Sequence, residues 1–99
     1  MLTGILHMPS KVTCDSYHCA LTLRHADPAD TGFAWATIWV MDSWAPDSNE
    51  MASLKDEYEE SDIKLYTEDG RILGVGDRVT VIGWPENFPC LTIEVEIIR

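Results

Sequence analysis

Ninety-nine residues, 45% of them hydrophobic, are enough for one domain with one ordinary core, built without help from metals or disulfides. The formal net charge of -10 comes from seven Lys and Arg against seventeen Asp and Glu, and it repels phosphate backbones at long range. No run of about 18 apolar residues occurs, so no transmembrane helix and no membrane partner are expected.

Met1-Leu2-Thr3-Gly4-Ile5-Leu6-His7 has no basic region ahead of an apolar one. It does not read as a signal peptide, and the expected location is cytoplasmic. Leu2 to Met8 reads as a first strand closed by Pro9. Tyr17 to His25 alternates as a half-buried strand, with Tyr17, Cys19, Leu21 and Leu23 on one face and His18, Ala20, Thr22 and Arg24 on the other. Cys14, Cys19 and Cys90 are odd in number, and a cytoplasmic setting disfavours disulfides. Zinc held by Cys14, His18 and Cys19 with His7 or His25 has little support, since Cys-x4-Cys lacks a second ligand pair. A buried structural Cys19 is the expectation, with no metal site.

After the turn-rich 26–32 comes Gly32-Phe33-Ala34-Trp35-Ala36-Thr37-Ile38-Trp39-Val40-Met41. As a strand it puts Phe33, Trp35, Thr37 and Trp39 on one face and Ala34, Ala36, Ile38 and Val40 on the other. Paired with Tyr17–His25 it makes an antiparallel hairpin. Left open to solvent, the aromatic stripe is a stacking or docking surface; turned inward or covered, it is core.

The chain then becomes acidic. Residues 42–69 carry ten acids against Lys55 and Lys64, a net -8, whereas residues 1–41 and 70–99 are each -1. Asp47 and Glu50 fit a capping box, and Met51, Leu54 and Tyr58 recur at helical spacing. The expectation is an acidic, solvated helix over 48–60 within a 42–62 connection, its apolar stripe packed on the sheet. An acidic surface for a basic partner is the sharper alternative.

Strands resume at Ile63–Thr67, Glu68-Asp69-Gly70 signals a tight turn, and Arg71–Leu73 and Arg78–Gly83 follow. Trp84 to Pro89 reads as a loop pinned by two prolines. Cys90 to Ile98 closes the chain, with Leu91, Ile93, Val95 and Ile97 opposite Thr92, Glu94, Glu96 and Ile98. Gly74, Gly76 and Gly83 permit the bends, bulges or positive φ values of a tightly curled barrel.

Asp69 to Gly83, with its Gly-Asp-Arg-Val-Thr-Val-Ile-Gly phrase at 76–83, resembles the late part of an oligonucleotide/oligosaccharide-binding (OB) fold, and Leu2-Thr3-Gly4-Ile5-Leu6 resembles that family's first strand. The resemblance implies a mainly β, five- or six-stranded OB-like barrel over residues 1–99, with one acidic helix between the aromatic strand and the later strands. It also implies a ligand face on the second and third strands. Phe33, Trp35 and Trp39, with His18 and Arg24, are then the candidate ligand residues.

Two functions follow. One is single-stranded nucleic-acid binding by base stacking on Phe33, Trp35 and Trp39, with Arg24, Arg71 and Arg78 near phosphate. The other is a protein-interaction module, in which Trp35, Trp39, Met41 and Trp44 seat a partner or a second copy while the acidic segment steers a basic partner. A sugar stacked on the same rings is a variant. No catalytic residue and no cofactor is expected. His7, His18 and His25 are scattered, and Gly74-Val75-Gly76 leads into a strand without the Gly-Lys-Ser/Thr of a phosphate loop.

Overall fold

The alternation of apolar and polar residues closes into a barrel in the computed structural model, which describes residues 1–15, 17–25, 35–86 and 91–99. The described strands are β1 (Leu2–His7), β2 (Thr13–Cys14), β3 (His18–His25), β4 (Trp35–Ser43), β5 (Met51–Ala52), β6 (Leu65–Tyr66), β7 (Ile72–Leu73), β8 (Arg78–Glu86) and β9 (Thr92–Ile98). Strand β1 lies between β3 and β8, β3 pairs with β4, and β8 pairs with β9, all antiparallel. A parallel pairing of β4 with β9 closes the ring through Thr37–Thr92, Ile38–Ile93 and Trp39–Glu94. The result is a closed five-stranded barrel, so the fold is mainly β as the sequence implied. Among the described residues no helix is long and apolar enough to cross a membrane.

Inward-facing side chains fill the barrel. Leu6, Cys19, Leu21, Leu23, Ile38, Val40, Val79, Val81, Ile93, Val95 and Ile98 are buried in one cluster. The β3–β4 hairpin is the expected one, with Leu21 opposite Ile38 and Leu23 opposite Ala36. Its loop, the Gly32–Ala34 start of the aromatic strand and therefore Phe33 lie outside the described residues. Tyr17 departs from expectation. It precedes the strand and is exposed rather than sharing the buried face of Cys19.

The expected acidic helix is absent. Met51 and Ala52 form β5 instead, parallel to Asp42 and Ser43 of β4, and Met51 also pairs with Leu65. Met51, Ile63 and Leu65 are fully buried in the core cluster, with Leu54 and Tyr58 packed against it. The helically spaced apolar residues thus enter the core from an extended, turning chain. Two features work against a helix. Asn49 adopts a left-handed φ of 65° just before Met51, and its Oδ1 accepts the Ile98 N–H at 2.9 Å. Asp56, Glu57, Glu59 and Glu60 would also place like charges three and four residues apart. Of the expected capping box only the Glu50 carboxylate accepting the Asp47 N–H, at 2.7 Å, is formed. Among the described residues the one helical turn is 3-10, Glu60–Asp62. The Tyr58 hydroxyl accepts the Val12 N–H at 2.9 Å and ties this segment to the chain before β2. The acids of the segment are mostly solvated, as expected, but on turns rather than on a helix face.

The Glu68-Asp69-Gly70 turn is present, with Gly70 at φ 85°. Thr67, a buried polar residue, donates its hydroxyl to the Asp69 carboxylate and accepts the Arg71 N–H at 2.9 Å. The Thr67 hydroxyl bond, together with the Arg71 guanidinium, holds the Asp69 carboxyl below its ordinary pKa.

Two further corrections concern β8 and β9. Strand β8 runs on through Trp84 and Pro85 to Glu86 instead of ending at Gly83. The pairing of β8 with β9 then slips between Ile82–Ile97 and Gly83–Val95, which leaves Glu96 as the extra residue of a bulge. The slip exchanges the last two side chains, so that Ile98 is buried and Ile97 is not. A Cβ on Gly83 would lie 1.9 Å from the Glu94 carbonyl oxygen, whereas one on Gly74 would meet nothing nearer than 3.6 Å.

Cys14 and Cys19 sit opposite each other across β2 and β3 and are joined in a disulfide, contrary to expectation. Adjacent strands bring directly opposed Cβ atoms within bridging reach. The bridge also removes both sulfurs from any zinc set.

Two outcomes check this architecture. Thiol titration of the unfolded, unreduced protein is expected to find one reactive cysteine, rising to three after reduction; three at the outset would contradict the bridge. Gly83→Ala is expected to lower unfolding free energy by about 3 kcal/mol in urea, and Gly74→Ala by less than about 1 kcal/mol.

Candidate functional site

Residues in register across neighbouring strands share a face, so the outer surface of the barrel can be read row by row. One row runs Ala20, Trp39, Glu94 and Trp84 across β3, β4, β9 and β8. The next runs Thr22, Thr37, Thr92 and Glu86, with His7 beside Thr22 on β1. A third, toward the other end, runs Arg78, Ile5, Arg24 and Trp35 across β8, β1, β3 and β4.

The aromatic stripe of β4 therefore faces outward. Trp35 is 50% exposed, Trp39 is partly buried, and Met41 is exposed. The expected 48–60 helix is not there to cover them. The two indoles nevertheless sit in different surroundings. At the Trp35 end the environment is cationic. The Arg24 guanidinium lies 5.7 Å from the indole centroid, and the His7 imidazole meets the ring edge-on at 5.2 Å.

At the Trp39 end the environment is acidic. A cleft of about 260 Å³ is lined by Asp15, His18, Trp39, Trp84, Glu86, Thr92 and Glu94. Glu94 stands on the strand between the two tryptophans, whose backbones are two strand spacings, about 10 Å, apart. Trp84 is 67% exposed, yet its Nε1–H donates to the Glu96 carboxylate at 2.8 Å, which fixes the indole's orientation. Asp15 sits between the bridged cysteines, in the turn from β2 to β3. Its carboxylate accepts the backbone N–H groups of Tyr17 at 3.0 Å and His18 at 2.9 Å. Those two bonds hold its pKa below the ordinary aspartate value, so it is charged at neutral pH.

A second hollow shares His18, Trp84 and Glu94 with the first and adds Met41, Asp47, Glu50 and Glu96. No Lys or Arg is among the described residues lining either hollow. The acids of the 42–69 segment thus reach this face through Asp47 and Glu50.

Of the residues expected at a site, His18 and Trp39 meet in the acidic cleft, and Arg24 and Trp35 meet at the cationic end. Phe33 lies outside the described residues. Trp44 is exposed on the bend after β4, lining neither hollow. Arg71 is engaged with Asp69 in the β6–β7 turn, away from both ends. Sequence reasoning missed Trp84, Glu86 and Glu94, which build the cleft with Trp39. Their signal was the alternation of Trp84 and Glu86 with Pro85, hidden by reading a proline as the end of the strand.

Comparison of the chain with protein-family models, with curated proteins and with solved structures finds no match.

If the stripe is surface, truncating it costs little stability. Trp35→Ala is expected to change unfolding free energy by less than about 1 kcal/mol, whereas Ile38→Ala, three residues along on the opposite face, is expected to cost about 3 kcal/mol. Equal losses in urea denaturation would mean that the stripe is core.

Proposed function

We propose that this protein is a non-catalytic binding module, and that its ligand is a basic segment of a partner protein laid across the outer face of β3, β4, β9 and β8. The observation that carries this is the lining of the Trp39–Trp84 cleft by Asp15, Glu86 and Glu94, with no described cation to offset them. Tryptophan is enriched among interface hot spots, and charge around it steers and selects the partner. A surface of this sign draws a Lys- or Arg-rich segment and repels phosphate. It also repels a second copy of the same chain, whose charge is -10.

The Arg78–Ile5–Arg24–Trp35 row supports a second reading, the single-stranded nucleic acid suggested by the OB resemblance and the five-stranded barrel. Two arginines and one indole offer a short site, about one base wide, beside an acidic one. We place it second for that reason.

Salt and ligand separate the readings. In tryptophan fluorescence titrations at moderate salt, a Lys/Arg-rich peptide is expected to bind saturably, and Glu94→Gln to weaken it by about tenfold. Oligo-dT is expected to give no saturable signal there. Saturable oligo-dT binding that Arg24→Ala abolishes, with no response to the basic peptide, would reverse the order of the two readings.

A further inference from the structure

The cleft between Trp39 and Trp84 is built on a smaller scale than the face around it. Its volume of about 260 Å³ falls just below the range of about 300–1,000 Å³ typical of pockets for whole small molecules. That is room for one long side chain. Its two indoles come from strands on either side of β9, and the carboxylate of Glu94 stands on β9 between them. Glu86 lines the same cleft from one row along β8, and Asp15 from the β2–β3 turn. The Glu96 hydrogen bond orients the Trp84 ring in advance of any ligand.

We propose that this cleft takes a single arginine side chain of the partner, its guanidinium stacked against the Trp39 and Trp84 indoles and hydrogen-bonded to Glu94. The inference rests on the basic-partner reading above and narrows it to one anchoring residue.

Arginine fits the lining better than lysine for three reasons. Its guanidinium is planar and stacks on an aromatic face, where a strongly hydrated ammonium keeps its water. It carries five N–H donors in a fixed fork, which suits carboxylates arriving from several sides of the cleft. The acceptors here, Glu94, Glu86 and Asp15, come from three different elements, so a group with several fixed donors gains more from them than a single rotating one. The cationic Trp35 end offers no such place, because its indole already carries the chain's own Arg24.

The test uses the whole protein and three short peptides, uncharged elsewhere, that differ at one position, with arginine, lysine or citrulline there. Binding is followed through the indole N–H cross-peaks of the four tryptophans in 1H–15N spectra. The arginine peptide is expected to shift the Trp39 and Trp84 peaks saturably and to leave Trp44 in place. The lysine peptide is expected to bind about tenfold more weakly, and citrulline, which keeps the shape and loses the charge, not measurably.

Glu94→Gln, an exposed and nearly isosteric change whose fold the same spectra report, is expected to weaken the arginine peptide about tenfold, and Trp44→Ala, outside both hollows, to leave it unchanged. Equal binding of the lysine and arginine peptides would overturn the arginine assignment while leaving a basic partner in place. So would binding of a long Lys/Arg-rich peptide that shifts neither Trp39 nor Trp84. Failure of every basic peptide, long or short, would overturn the underlying reading itself.

Discussion

The parallel pairing of β4 with β9 is the contact on which the rest of the molecule depends. The other four pairings of the barrel strands are antiparallel, one of them, β1 with β8, joining Leu2–Ile5 to Arg78–Val81; Thr37–Thr92, Ile38–Ile93 and Trp39–Glu94 are the parallel rungs that close the sheet on itself. Closure gives Ile38 and Ile93 a shared interior and sends Trp39 and Glu94 outward together. It also leaves both strands without a free edge along the paired length, which removes a route to edge-to-edge aggregation. The acidic connection after β4 delivers Met51 and Ile63 to the core, beside Leu65 of β6, and Asn49 and Tyr58 tie it to β9 and to the chain before β2. Its charges stay in water, and some of them reach the binding face.

That face is divided rather than uniform. One strand, β4, carries Trp35 into the company of Arg24 and His7, and Trp39, four residues on, into the company of Glu94, Glu86 and Asp15. Aromatic area alone would suit a base, a sugar or a side chain equally well. The sign of the charge around each ring discriminates among them, and it differs between the two ends. A ligand with alternating character along its length would match both ends. A uniformly anionic strand matches only the Trp35 end.

Much of this was legible in the residues before any coordinates. The alternation of Cys19, Leu21 and Leu23, and of Ala36, Ile38 and Val40, is strict, and period-two burial has one structural meaning. So the β3–β4 hairpin and the outward side of Trp35 and Trp39 follow from pattern once the barrel interior is filled. The helix over 48–60 did not follow, because three apolar residues at helical spacing also suit an extended chain that dips into the core three times. Only the pairing of Ala52 with Ser43 of β4 and of Met51 with Leu65 of β6 decides between the two. The cleft was hidden for a related reason. Pro85 reads as a strand ending, yet proline is tolerated in a strand where its missing N–H is not called upon. The bulge at Glu96, made possible by the bare backbone of Gly83, then exchanges Ile97 and Ile98, a one-residue slip that alternation alone cannot show.

The most direct measurement of the central claim, an outward row of Trp39, Glu94 and Trp84 set by barrel closure, is a set of nuclear Overhauser contacts between β4 and β9. Contacts from the backbone of Thr37, Ile38 and Trp39 to Thr92, Ile93 and Glu94, with the Trp39 indole touching the Glu94 side chain and no core methyl of Leu21 or Val81, are what the account requires. Contacts from the Trp39 indole to those core methyls, with β9 absent from the neighbourhood of β4, would contradict it.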